Sequence, residues 1–197
     1  MQYKTIKQEI SVKQAIKKSI FIGTAASVET IEEAKAFIKK VREKYKDANH
    51  NAFAYRIGKE ESLFSDDGEP LKSAGMPIYN AIRSAKITNV AIVVTRYFGG
   101  TKLGIGGLIQ AYGGTAKYAI EQAEIEVKRV QKKVYLELPY SDIQLVLHFI
   151  KKFNGIILKR DFKESVTITA EIDEDLFEEF SQNILSRSGL VKFKILE

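Results

Sequence analysis

The chain has 197 residues, 45% of them hydrophobic and 28% charged, with no cysteine and a formal net charge of +6. These values place it among ordinary globular proteins and exclude disulfides and thiol chemistry. No apolar run approaches the ~18 residues a membrane helix needs, so no membrane partner is expected.

Taken in order, Thr5 to Val12 alternates loosely and predicts a first strand, with Ser19 to Val28 as its partner. Thr30-Ile-Glu-Glu33 reads as a capping box, and Ile31, Ala34, Ile38, Val41 and Tyr45 recur at helical spacing. That helix is predicted to end near Lys46. Phe53, Tyr55 and Ile57 alternate as a strand closed by Gly58. A turn-rich loop, SDDGEPLKSAGMP, leads to a short helix over Ile78–Ala85. Val90–Val94 is continuously apolar, as a central strand covered on both faces must be. A glycine turn then opens a long helix marked by Leu108, Ile109, Tyr112, Ala116, Ala119 and Ala123.

A second unit begins near Arg129. Val134, Leu136 and Leu138 alternate up to Pro139, and Ser141-Asp-Ile-Gln144 reads as another capping box. A helix ends at Asn154-Gly155, two strands follow at Ile156–Phe162 and Val166–Ile172, and a helix over Leu176–Ile184 has Gly189 beyond it. Val191, Phe193 and Ile195 form a last strand. The β-α-β-β-α-β order is the ferredoxin-like pattern. The expected architecture is α+β with two domains, residues 1–128 and 129–197.

The basic surplus lies in the first part. Over residues 131–197, 10 Lys and Arg face 11 Asp and Glu, so residues 1–130 hold the excess positive charge. In VVTRYFGGTKLGIGGLIQAY, five glycines (Gly99, Gly100, Gly104, Gly106 and Gly107) fall within nine residues, beside Arg96 and Lys102. Glycines let backbone N–H groups approach a ligand, and the start of a helix suits an anion. On glycines alone, a close-packed turn with no ligand fits equally well. Neither a Walker A register nor a G-x-G-x-x-G can be placed. Arg56, on the strand before Gly58, adds a third cation to the expected phosphate site.

Ser65-Asp-Asp-Gly-Glu-Pro70 concentrates carboxylates at Asp66, Asp67 and Glu69. A turn held by Asp side chains accounts for it better than a metal site. His50 and Asn51 precede the aromatic strand. His50 with Asp66 and Asp67 has the residue types for a general base or a metal site, and a structural or surface-exposed histidine is the commoner case. No serine elbow or His-Glu-x-x-His helix is present, so no catalytic residue, metal or cofactor is assigned. Phe53, Tyr55, Tyr97 and Phe98 are aromatic enough to stack bases, although strand aromatics are more often core.

Together DANHNAFAYRIG, SDDGEPLKSAGMPI and VVTRYFGGTKLGIGGLIQAYG resemble the IMPACT family over about residues 17–125. The remainder resembles the extra domain of its bacterial members. The resemblance implies an N-terminal domain similar to the second domain of small-subunit ribosomal protein five and to domain four of elongation factor G. It implies a ferredoxin-like C-terminal domain similar to domain five of that factor. Both relatives contact ribosomal RNA. Eukaryotic members regulate translation as binding proteins and carry an additional N-terminal domain, so their partner is not expected here. Two departures stand out: Leu71-Lys72-Ser73 follows Glu-Pro where a small Gly- or Thr-rich sequence is common, and Gln110 stands where Arg is frequent.

The resulting expectation is a cytoplasmic, non-enzymatic protein that binds RNA or the ribosome and regulates translation, with a further protein partner there. Arg56, Arg96, Lys102 and the five glycines would contact phosphate. His50, Asn51, Asp66, Asp67, Glu69 and Lys72 would line the same family-motif cleft. The alternative is a phosphoryl-transfer or hydrolytic enzyme with a metal at Asp66, Asp67, Glu69 and His50.

Overall fold

The computed structural model describes residues 2–187 and 191–196, with the side chain of residue 187 left aside. The elements run β1 (Gln2–Ile6), β2 (Ile10–Ile16), β3 (Ser19–Ser27), α1 (Ile31–Lys44), β4 (His50–Ile57), β5 (Glu61–Ser65), α2 (Gly75–Ser84), β6 (Val90–Tyr97) and α3 (Gly104–Gln122). They continue with β7 (Ile125–Arg129), β8 (Gln131–Leu138), α4 (Ile143–Lys152), β9 (Ile156–Phe162), β10 (Val166–Asp173), α5 (Glu174–Arg187) and β11 (Lys192–Leu196). They divide into two compact units: Tyr3–Val127, and Lys128 onward together with Gln2. Among the described residues no helix is long and apolar enough to cross a membrane.

In the first unit an antiparallel sheet has the order β2-β3-β6-β4-β5. Helix α1 packs on one face, against β6 and β4, and α2 and α3 cover the other. Each face therefore has its own core. Phe37, Ile38, Val41, Phe53, Tyr55 and Val93 fill the α1 side, and Phe21, Ile78, Ile92, Val94, Leu108 and Tyr112 fill the other. Strand β6, central and covered twice, is buried from Val90 to Arg96, which explains its unbroken apolar run. Thr30 caps α1 as predicted: its hydroxyl accepts from the Glu33 N–H at 3.1 Å, and Glu33 reaches back to the Glu29 N–H at 2.7 Å.

Several expectations are corrected. Thr5 to Val12 is not one strand, because β1 leaves the sheet to pair with β7, and β2 restarts at Ile10. Strand β5, too polar to announce itself, forms an edge of the sheet. Helix α2 begins at Gly75, ahead of Pro77, whose missing N–H costs nothing in a first turn.

The second unit is ferredoxin-like, an antiparallel sheet in the order β11-β8-β10-β9 with two helices packed on it. The Asn154-Gly155 stop is present: Asn154 takes a φ of +54°, and the Gly155 N–H donates to the Ile150 carbonyl at 2.7 Å. The second capping box does not form. Ser141 lies inside a short 3₁₀ turn closed by the Asp142 N–H on the Pro139 carbonyl, and its hydroxyl bonds Asp142 instead of an α4 N–H. Gly189 lies outside the described residues.

Candidate functional site

Three loops meet at one end of the first sheet. Strands β4 and β6 run antiparallel with His50 directly opposite Arg96. The start of β4 and the end of β6 therefore share an edge of one opening. The SDDGE loop closes it from the side, and the start of α3 closes it from the far end. The result is a cleft of about 390 Å³ whose lining includes Asn49, His50, Glu69, Arg96, Phe98, Lys102 and Ile105.

The acidic loop is organised from within. One oxygen of Asp66 accepts the N–H groups of Ala74 and Gly75, at 2.9 and 2.8 Å, and the other accepts the Lys72 N–H at 2.7 Å. Asp66 thus caps α2 from a distance, since Ala74 has no side chain to do so. Asp67 accepts the Asn51 N–H at 2.6 Å and binds the Arg42 guanidinium at 2.5 Å. Both carboxylates are occupied by backbone N–H groups and, for Asp67, by the Arg42 guanidinium of α1. Among the described residues no group of three or more His, Cys, Asp or Glu is arranged to hold a metal ion.

Glu69 turns inward. Its side chain is 4% exposed, and one oxygen accepts from Arg96 Nη1 at 2.6 Å and from the Tyr112 hydroxyl at 2.7 Å. Burial, followed by the hydrogen bond to Glu69 and its charge, raises the Tyr112 pKa far above that of an ordinary phenol. The Arg96 guanidinium lies between the rings of Phe21 and Phe98, 5.6 and 5.3 Å from their centroids. Its Nε is buried and has no hydrogen-bond partner among the described residues. His50 Nδ1 donates to the Asp67 carbonyl at 2.8 Å, and Nε2 faces Glu69 at 3.8 Å. A carbonyl cannot donate, so this contact assigns the proton to Nδ1.

The other rim is the start of α3. It has no capping side chain, and its first turn carries Gly104, Gly106 and Gly107. The glycines serve different purposes. At Gly99 a Cβ would overlap the Lys18 carbonyl, so close chain packing requires it. Gly100 and Gly104 take φ of +84° and +72°, which side-chain-bearing residues avoid. Gly106 faces open space, and Gly107 rests against Leu103. Lys102 is exposed, and Phe98 is 45% exposed beside it.

The predicted residues are therefore partly gathered. His50, Glu69, Arg96, Lys102 and Gly104 line the cleft. Asn51 is buried behind it, accepting from the Thr95 hydroxyl at 2.6 Å. Lys72 contributes its backbone to the Asp66 turn, and its side chain is exposed. Arg56 lies opposite Val90 at the other end of β4, roughly 20 Å along the strand from His50. Phe53 and Tyr55 belong to the α1-side core, and the Tyr97 hydroxyl binds Asp47. Two participants escaped sequence reasoning. A tyrosine on the buried side of an apolar helix needs a hydroxyl partner, and that was the available signal for Tyr112. Asn49, which accepts the Phe98 N–H at 2.8 Å, lies within the DANHNAFAYRIG motif, but nothing in the sequence marks it apart from its neighbours.

Two family profiles match the chain: "Impact N-terminal domain" over residues 17–120, and a "Domain of unknown function (DUF1949)" over residues 136–189. A Haemophilus influenzae protein called IMPACT family member is 33% identical over 201 residues, spanning 100% of this chain and 98% of its own length. IMPACT family member YigZ of Escherichia coli is 32% identical over 194 residues, spanning 95% of each. A solved structure titled as that of a hypothetical protein superimposes with a TM-score of 0.74 at 29% identity, covering 100% of this chain and 98% of that one.

Proposed function

The chain belongs to the IMPACT family, and from that premise we propose that it is a non-enzymatic, cytoplasmic RNA-binding protein that regulates translation at the ribosome. The observation carrying this reading is the uncapped start of α3, which opens on the cleft beside exposed Lys102 and Phe98. Unbonded N–H groups at a helix start attract an anion, a lysine adds charge, and an exposed ring offers a base a face to stack on. Arg96 contributes less than its charge implies, because Glu69 neutralises it at 2.6 Å. Its role here is to hold the loop in place. The cleft therefore engages one or two phosphates, and sequence-tolerant stacking supplies the rest.

The test is a titration with a structured ribosomal RNA fragment across a range of salt. Each neutralised phosphate contributes about 0.7 to 0.9 to the slope of log affinity against log salt. The expected slope is about −1 to −2. Lys102→Ala lowers it by about one phosphate's share, whereas Phe98→Ala weakens binding without changing it. A flat salt response, or no binding at low salt, refutes the proposal.

A further inference from the structure

The sheet of the second unit has one face under helices and one open face. Val134, Leu136 and Leu138 of β8, with Val166, Ile168 and Ala170 of β10, are buried in the core shared with α4 and α5. The alternate residues face the other way, and the strand register sorts them into rows. One row takes a residue from each strand: Lys194, Tyr135, Thr169 and Lys159. The next row is Lys192, Glu137, Thr167 and Asp161, and Lys133 lies opposite Glu171 in the row on the other side.

Charge pairing sets the Tyr135 row apart. Glu137 binds Lys192 at 3.2 Å, Asp161 binds Lys163 at 3.3 Å, and Glu171 has Lys133 directly across. Lys159 and Lys194 are exposed and have no ion-pair partner among the described residues. With strands ~4.8 Å apart, these cations stand about 5 Å and about 10 Å to either side of the Tyr135 backbone. Tyr135 itself is part-exposed, its neighbour Thr169 is small, and a depression of about 630 Å³ opens beside Tyr135 and Lys159, its lining also including Lys163 and the carboxylates Glu137, Asp161 and Glu164.

We infer that this open face binds single-stranded RNA, with a base on the Tyr135 ring and flanking phosphates on Lys159 and Lys194. The inference rests on the RNA-binding reading above and assigns it a second contact built from other residues. The unneutralised positive track is one row wide, with carboxylates in the rows beside it. That width suits a single backbone and is too narrow for a duplex. A carboxylate-bearing peptide would satisfy the lysines but present no planar face to the ring.

The test uses the full chain carrying Phe98→Ala and Lys102→Ala, so that the cleft is disabled, and a fluorescein-labelled oligouridine of about eight nucleotides. Tyr135→Ala is expected to weaken anisotropy-detected binding roughly tenfold, with Tyr135→Phe close to its parent. Tyr135→Leu, which keeps a bulky side chain without an aromatic face, separates stacking from folding. Lys159→Glu with Lys194→Glu should weaken binding more at low salt than at high salt. Photocrosslinks from 4-thiouridine should fall on the peptide containing Tyr135. No oligouridine binding, a Tyr135→Leu variant that binds like its parent, crosslinks elsewhere, or equal competition by a polyglutamate peptide overturns the inference. Failure of the cleft reading is read separately, as structured RNA binding insensitive to Phe98→Ala and Lys102→Ala in the otherwise unaltered chain.

Discussion

Removing the Glu69 carboxylate separates what the cleft does for stability from what it does for binding. Glu69 and Arg96 are 4% and 7% exposed and meet at 2.6 Å, with the Tyr112 hydroxyl on the same oxygen at 2.7 Å. Glu69→Ala strands a buried guanidinium, which costs about 3 to 5 kcal/mol. The tyrosine's lost acceptor overlaps with that figure and does not add in full, because the three groups form one network. For a unit of this size, 1 kcal/mol corresponds to about 3 to 5 °C, so its melting temperature should fall by roughly 10 to 20 °C. Glu69→Gln keeps an acceptor oxygen but not the charge and should cost about 1 to 3 kcal/mol. Binding should move the other way: with Arg96 no longer neutralised, Glu69→Gln should raise affinity for structured RNA and steepen the salt slope by about 0.7 to 0.9. Calorimetry and the salt titration read the two effects separately. An alanine variant melting within about 3 °C of the parent, or a glutamine variant with weaker RNA binding, would refute this account of the pair.

Three further outcomes follow from the same geometry. Asp66→Ala leaves the N–H groups of Lys72, Ala74 and Gly75 without their acceptor and should cost about 2 to 4 kcal/mol in urea unfolding; an unchanged midpoint would show that the turn holds without it. Gly106→Ala places a methyl in open space on a helix and should stabilise the fold by about 0.5 to 1 kcal/mol while weakening RNA binding. Tyr112 has a native pKa above its unfolded value of about 10, so its contribution is intact below that pH and is lost as pH climbs past it. Tyr112→Phe should therefore lose less stability than the parent between about pH 10 and 11.5, and parallel pH–stability curves would contradict this.

What the sequence made legible follows periodicity. The doubly covered β6, helix α1 with its cap and the βαββαβ order all rest on patterns local to a few residues. Strand β5, ESLFS, has too little alternation to stand out, and the β1–β7 pairing joins segments more than a hundred residues apart. Ser141 has the composition of a cap, but Pro139 commits the chain to a tighter turn first. At the site, residue types were legible and their pairings were not. Arg56 and Arg96 look alike as cations on strands, yet the register puts them at opposite ends of the sheet.

Arg96 shows why charge summed along a motif misstates the field at a site. Its partner lies 27 residues earlier, in a loop that reads by itself as a carboxylate cluster. Each motif alone suggests strong electrostatics of its own sign, and folding cancels one against the other inside the protein. What remains facing the cleft is the α3 start and Lys102. Helix-end dipoles act within about one turn and are screened by salt. Attraction of that kind adds little long-range pull and depends on a phosphate arriving in the right place. The glycines then matter less for affinity than for approach: Gly99 brings β6 against Lys18, Gly100 and Gly104 turn the chain, and Gly106 leaves the helix start uncovered. Such a cleft would discriminate by fit, which is what the proposed docking on one RNA feature among many phosphates requires.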